Sequence, residues 1–97
     1  MSGAGLRSLH CFVTGRVQGV WFRQSTAEQA RMRGVAGWVR NLDDGRVEAV
    51  LQGSVESVEA VLAWIRAGGP PEAEVTGVEI RDGAADPKLG EDFEVRR

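Results

Sequence analysis

The sequence is short of the residues from which many functional sites are built. It has no tyrosine, one histidine (His10) and one cysteine (Cys11) among its 97 residues. A single cysteine can form no internal disulfide, and Cys11 has no partners at metal-ligand spacing, so the sequence predicts no metal site. Because Cys11 lies in an alternating apolar run, we expect a buried, unreactive thiol rather than a nucleophile.

Long apolar runs are also missing. No segment approaches the roughly 20 consecutive apolar residues that a helix needs to cross a bilayer. No apolar stretch of signal-peptide length follows the small residues at positions 1–5. We therefore expect no membrane partner and a reducing, cytoplasmic location.

An excess of charge of one sign is absent as well. The chain has 12 basic and 14 acidic residues, mixed along its length, and a formal net charge of -2. Nucleic-acid-binding domains usually carry a basic excess, so the charge predicts no nucleic-acid partner. The chain also has no Gly-Lys-Ser/Thr ending, which excludes the nucleotide-binding P-loop.

The length and periodicity predict one domain over residues 1–97, with the first five residues disordered. A small domain of this kind is expected as a monomer, although the sequence itself leaves the oligomeric state open. Alternating apolar residues predict strands at 6–14, 35–41, 46–53 and 74–81, with a short last edge strand at 93–96. Helical spacing predicts a helix at 22–33 and a second that is capped by Ser54 and ends before Gly68. The expected apolar stripe of the first helix consists of Phe22, Thr26, Ala27 and Ala30. The expected apolar face of the second consists of Val55, Val58, Leu62 and Ile65. The order β-α-β-β-α-β is typical of the α+β ferredoxin-like sandwich, an antiparallel four-stranded sheet with both helices on one face.

One stretch combines the end of a strand, two glycines and the start of a helix. Gly15 and Gly19 leave room for backbone N–H groups to turn inward, and the N-terminus of the next helix adds unsatisfied donors. Arg23 follows in the first helical turn, where its planar fork can reach two oxygens of one phosphate. The pattern favours an oxyanion site with one fixed arginine, although the two glycines can also serve only a tight turn.

Two amides lie near this stretch in the predicted fold. Gln18 is expected to hold the shape of its loop by bonding the loop's own backbone. Asn41 ends the predicted second strand, and it can act as a turn former or as a neutral amide that orients a water molecule. Spacing alone leaves open whether Asn41 reaches Arg23.

The other candidates for a functional role are weaker. His10 has no partners that the pattern identifies for a catalytic triad, so we expect a sheet-face role. Trp21, Trp38 and Trp64 lack the strand spacing of an RNA-recognition surface, and Trp64 is expected at the margin of the core.

Two segments resemble the signatures of the acylphosphatase family. The first is Gly15-Arg16-Val17-Gln18-Gly19-Val20-Trp21-Phe22-Arg23, and the second is Gly37-Trp38-Val39-Arg40-Asn41 followed by Gly45-Arg46-Val47 and Gly53. The likeness covers nearly the whole chain from about residue 6 onward, with the expected length and element order. The family commonly ends its last strand with an aromatic residue, whereas this chain ends in two arginines.

The resemblance implies hydrolysis of acyl phosphates to a carboxylate and inorganic phosphate, with no metal ion or organic cofactor. It implies that Arg23 holds the phosphoryl oxygens and that Asn41 positions the attacking water. It further implies that backbone amides of the phosphate-binding loop surround the phosphate, and these belong to Gly15, Arg16, Val17, Gln18, Gly19 and Val20. The alternative is a non-catalytic acylphosphatase-like module that binds an anion or a protein.

Overall fold

The computed structural model describes residues 5–97 and contains five strands and two α-helices. The expectation of disorder in the first five residues falls mostly on residues 1–4, which lie outside the described residues. In chain order the elements are β1 (Leu6–Arg16), α1 (Phe22–Met32), β2 (Ala36–Asn41), β3 (Val47–Ser54), α2 (Val55–Arg66), β4 (Glu74–Gly83) and β5 (Phe93–Val95). A single 3₁₀ turn at Pro87–Leu89 precedes β5.

The strands form one sheet in the order β4-β1-β3-β2-β5. The first four strands pair antiparallel, as predicted, and β5 joins the edge parallel to β2. Both helices pack against the sheet and against each other. The ferredoxin-like α+β fold is therefore confirmed, and the added edge strand makes the sheet mixed.

The core lies between the helices and one face of the sheet. Alternate residues of β1 point into it, and they are Leu9, Cys11 and Val13. The stripe predicted for α1 is buried as expected, and it consists of Phe22, Thr26, Ala27 and Ala30. Burial of these apolar side chains is the main force that holds the layers together.

The second helix begins as predicted, with one difference on its apolar face. The Ser54 hydroxyl accepts a hydrogen bond from the backbone N–H of Ser57 at 3.2 Å, which is a side-chain cap of the helix N-terminus. Val55 was expected on the buried face, but 37% of it is exposed, and Val61 is buried instead. Val55 is the first helical residue, so it precedes the turn that packs on the sheet.

The predicted strand ends are too early at two places. β1 continues to Arg16 because Gly15 and Arg16 pair with Val75 and Glu74 of β4. β4 continues to Gly83 because that residue pairs with Ser8 of β1, so the strand ends two residues after the predicted end at 81. The loop between β1 and α1 therefore starts at Val17, two residues after the first of the two glycines.

Gly15 is required by the pairing of β1 with β4. The register shifts between Thr14 and Gly15, where φ of Gly15 is 130°. A Cβ at this position would lie 2.1 Å from the carbonyl oxygen of Glu74 and 2.9 Å from the backbone nitrogen of Thr76. Since both neighbours are backbone atoms within the sheet, neither can move away without breaking the pairing.

We predict that Gly15→Ala lowers the free energy of unfolding by about 3 kcal/mol, through backbone strain and steric overlap. Gly19→Ala is the matched control, because Gly19 has φ of 76° but open space around its Cβ position. The control should cost only the strain of a left-handed residue, about 1–2 kcal/mol. Urea unfolding of both variants measures the difference, and equal losses would contradict the role of Gly15 in the sheet.

Candidate active site

An open cavity of about 270 Å³ lies where the β1–α1 loop, the first turn of α1 and the end of β2 meet. Its lining residues are Val17, Gly19, Trp21, Phe22, Arg23, Gln24 and Asn41. The sequence left open whether Asn41 reaches Arg23, and the fold brings both residues to this one cavity. The antiparallel β2–β3 hairpin does this by placing the end of β2 beside the loop that follows β1.

The N-terminus of α1 faces this region without a protein cap. The residue before the helix is Trp21, which makes no side-chain capping bond, and the first turn contains no acidic residue. The first helical hydrogen bond runs from the N–H of Ser25 to the carbonyl oxygen of Trp21 at 3.0 Å. The N–H groups ahead of Ser25 have no carbonyl partner within the helix, so they leave a positively polarised end that suits an anion.

By contrast, side chains of the protein itself cap the N-terminus of α2 and complement its partial positive charge. Ser54 caps its N-terminus and Glu56 places a carboxylate in its first turn. Such residues occupy the donors and the partial charge that an anion would otherwise use. Thus the helix beside the cavity is the one that keeps its N-terminal donors available.

Arg23 is the one ionisable side chain among the lining residues in the described part of the chain, and it is half-buried. Its Nη1 donates a hydrogen bond to the carbonyl oxygen of Arg96 at 2.8 Å. Arg96 directly follows β5, and its own N–H donates to the carbonyl oxygen of Val39 in β2. The C-terminal segment therefore fixes the position of the guanidinium while leaving its other N–H groups for a ligand.

Asn41 occupies the last position of β2 and pairs with Val47 of β3. Its Oδ1 atom is buried and accepts no hydrogen bond from any group in residues 5–97. Leaving a buried acceptor unpaired costs about 1–3 kcal/mol, so such an atom is uncommon unless it serves a ligand or water. An amide oxygen in this state can accept a hydrogen bond from one O–H of a water molecule and thereby direct the oxygen lone pairs of that water.

Gln18 ties the loop to the hairpin that carries Asn41. Its Nε2 donates to the carbonyl oxygen of Leu42 at 2.7 Å and to that of Arg46 at 3.0 Å. A structural role was predicted for this amide, but its partners lie in the β2–β3 turn rather than in its own loop. Two hydrogen bonds from one side chain thus set the distance between the two walls of the cavity.

The structure divides the predicted phosphate-binding loop into two parts. Gly15 and Arg16 belong to β1 and are not among the lining residues. Val17 and Gly19 line the cavity, whereas Val20 is buried in the core with 3% of its surface exposed. The loop that faces the cavity therefore begins at Val17.

Three lining residues were not predicted as part of the site, and they are Trp21, Phe22 and Gln24. One signal for Trp21 was present in the sequence. It stands directly before the helix, where Ser, Thr, Asp or Asn usually supplies a cap. An aromatic residue there supplies no side-chain cap, so it leaves the first N–H groups of the helix without one.

A second polar cluster lies on the sheet face opposite the helices. His10 Nε2 and Glu48 Oε2 are 2.6 Å apart, and Arg40 Nε donates to Glu48 Oε1 at 2.5 Å. Burial raises the pKa of the Glu48 carboxyl, but hydrogen bonds from Arg40 and His10 outweigh it and hold this pKa below its ordinary value. None of the three lines the cavity, in agreement with the sheet-face role that was expected for His10.

A buried thiol was predicted at Cys11, and the structure confirms it. Cys11 is buried, and burial raises the pKa of its thiol to about 12, which keeps it protonated and unreactive. Within residues 5–97, no three His, Cys, Asp or Glu side chains come together in a group that could hold a metal ion. Neither described helix has the length and apolar character required to cross a membrane.

Comparisons with known proteins give a consistent result. The family model described as Acylphosphatase matches residues 9–95. The chain is similar to an acylphosphatase of Methylococcus capsulatus, at 56% identity over 77 residues, covering 79% of this chain and 83% of that protein. It is also similar to an acylphosphatase of Natronomonas pharaonis, at 52% identity over 89 residues, covering 91% and 92% of the two chains. Among solved structures, an acylphosphatase from Coxiella burnetii superposes with a TM-score of 0.88 and 35% identity, over 99% of this chain and 100% of that one.

Proposed function

This chain belongs to the acylphosphatase family, and we propose that it hydrolyses the carboxyl–phosphate bond of acyl phosphates in the cavity beside α1. In this proposal Arg23 binds the phosphoryl group and Asn41 orients the attacking water. The observation that carries it is the meeting of these two side chains in one cavity, beside a helix N-terminus without a protein cap.

Binding of the phosphoryl group follows from the donors at the cavity wall. The guanidinium of Arg23 offers two parallel N–H groups to two phosphoryl oxygens, and the N–H groups of the loop and first helical turn supply further donors. These backbone donors are fixed before the substrate arrives, so they need no reorganisation when negative charge shifts in the transition state. We propose Val17 and Gly19 as the loop positions nearest the phosphate, since both line the cavity.

The reaction requires mainly that the attacking water and the phosphoryl group are held in the correct relative position. Water attacks phosphorus, a new P–O bond forms, and the bond from phosphorus to the acyl oxygen breaks with its electron pair leaving on the carboxylate. The protons of the water pass to the phosphate product and the solvent. Carboxylic acids have a pKa of about 4, so a carboxylate is a stable leaving group. No acidic group of the protein has to protonate it as it leaves.

The role of Asn41 follows from its buried oxygen. When Oδ1 accepts a hydrogen bond from the attacking water, the lone pairs of that water are held in one direction relative to the phosphorus. Asn41 does not remove a proton from the water, since an amide is not a base at neutral pH. This division of roles agrees with the cavity lining, because Arg23 is the one ionisable side chain among the described residues that line it.

A non-catalytic module is not favoured, because the curated relatives match over most of their own length and carry the name of the enzyme. We further propose a small-molecule acyl phosphate as the substrate, with no nucleic-acid or membrane partner, a monomer as the working form and a reducing, cytoplasmic location. The single buried thiol of Cys11 supports a reducing compartment.

The proposal is tested by steady-state hydrolysis of benzoyl phosphate with purified protein and excess chelator. We expect turnover that the chelator does not change, because phosphate binding and water positioning are assigned to protein groups. We also expect kcat to stay constant within about twofold between about pH 6 and about pH 8, because the proposed roles of Arg23 and Asn41 include no transfer of a proton by the protein. Phosphate binding without hydrolysis above background would instead support the non-catalytic module.

A further inference from the structure

Trp21 has a backbone conformation that a bulky side chain rarely adopts. It is the one non-glycine residue with positive φ among residues 5–97, with φ of 65° and ψ of 21°. Glycine, asparagine or aspartate would occupy this left-handed region at lower cost. Residues with such strained backbone conformations cluster at active sites and ligand-binding segments, where the surrounding structure holds them.

The fold itself does not account for the indole ring. Trp21 is 71% exposed and makes no side-chain capping bond to α1. Its contribution to the helix is its carbonyl oxygen, which accepts from Ser25 N, and any residue supplies that atom. The chain thus retains a large apolar ring on its surface at a position where glycine would fit with less strain.

The other two tryptophans differ in this respect. The guanidinium groups of Arg40 and Arg96 lie over the ring of Trp38, at 5.4 and 4.7 Å from its centroid. Trp64 packs on the core with its ring centroid 6.0 Å from that of Phe22. Both rings therefore have partners within the fold, whereas the ring of Trp21 is largely open to solvent.

We propose that Trp21 is the acyl-binding platform of the active site and that it favours acyl phosphates whose acyl group is flat and aromatic. This inference rests on the proposed function. With the phosphoryl group held by Arg23 and the start of α1, the acyl group extends from the cavity past a lining in which Trp21 supplies the largest exposed apolar surface. An indole stacks well on a planar ring and gains little from a group as small as acetyl.

The test compares benzoyl phosphate with acetyl phosphate as substrates. For wild type we expect benzoyl phosphate to have the higher kcat/KM. In Trp21→Gly, which removes the ring and suits the backbone conformation, the benzoyl-to-acetyl ratio of kcat/KM should fall about fivefold. Trp21→Phe should keep most of the ratio, because it retains an aromatic face. Met32→Ala is the matched control, since Met32 is 75% exposed at the other end of α1.

A binding measurement separates this inference from the proposed function. Benzoylphosphonate and acetylphosphonate carry the same acyl groups on a C–P bond that is not hydrolysed, and their dissociation constants are measured by calorimetry. Trp21→Gly should lower the preference for benzoylphosphonate about fivefold, even if the wild-type protein proves to hydrolyse nothing. The inference is overturned if this preference changes by less than twofold, or if both phosphonates lose affinity equally.

Discussion

Arg23→Ala is expected to lower kcat/KM for benzoyl phosphate by about 10³–10⁵-fold, the range found for arginines that stabilise a transferred phosphoryl group. Inorganic phosphate should bind at least about 100-fold more weakly, since a charged bidentate contact is lost. Both losses have one cause, because Arg23 is the single cation among the described residues that line the cavity. Hydrolysis assays and phosphate inhibition measure the two quantities on the same protein.

Two further variants make the result specific. Arg23→Lys keeps the charge but loses the planar fork, so it should recover only a small part of the activity. Arg33→Ala removes an exposed arginine from the other end of α1 and should leave turnover within about twofold of wild type. Because Arg23 contributes one hydrogen bond to Arg96, its removal should change the free energy of unfolding by only about 1 kcal/mol. A folded Arg23→Ala protein with wild-type activity would overturn the assignment of the site.

Asn41→Ala is expected to lower kcat by about 10²–10³-fold while phosphate affinity stays within about threefold of wild type. The separation follows from the proposed roles, because the amide orients water and does not hold the phosphoryl group. Since Oδ1 has no hydrogen-bond partner among residues 5–97, removing it takes no observed contact from the folded protein. Stability to urea should accordingly be close to that of wild type, which excludes unfolding as the cause of lost turnover.

Two control variants test the position of the amide and its lack of charge separately. Gln29→Ala removes an amide from the middle of α1, away from the cavity lining, and should leave kcat unchanged within about twofold. Asn41→Asp keeps the shape of the side chain but places a negative charge near the phosphate, so it should weaken phosphate binding as well. Phosphate affinity that falls as strongly in Asn41→Ala as in Arg23→Ala would contradict a role in orienting water.

The sequence predicted the elements well because their signals are local. The stripe of α1 and the Ser54 cap of α2 depend on spacing within a few residues, and both are present in the structure. The ends of β1 and β4 were missed because they depend on pairing between distant parts of the chain. Gly15 illustrates this limit, since a side chain there is excluded by the carbonyl oxygen of Glu74, which lies far from it in the sequence.

The assembly of the site depends on long-range contacts of the same kind. Arg23 could be placed in a first helical turn, but its hydrogen bond joins it to Arg96, 73 positions away. Asn41 reaches the cavity because a hairpin returns its strand beside the first loop, and Gln18 fixes that arrangement through Leu42 and Arg46. A single sequence contains the residue types for this site, whereas their convergence is a property of the folded sheet.

The most direct test of the account compares phosphate dissociation constants and kcat across wild type, Arg23→Ala and Asn41→Ala, measured on the same preparations. The account predicts that Arg23→Ala loses both phosphate affinity and turnover. It predicts that Asn41→Ala loses turnover alone. Equal losses of affinity in the two variants, or turnover that survives in Arg23→Ala, would contradict the assignment of phosphate binding to one residue and water positioning to the other.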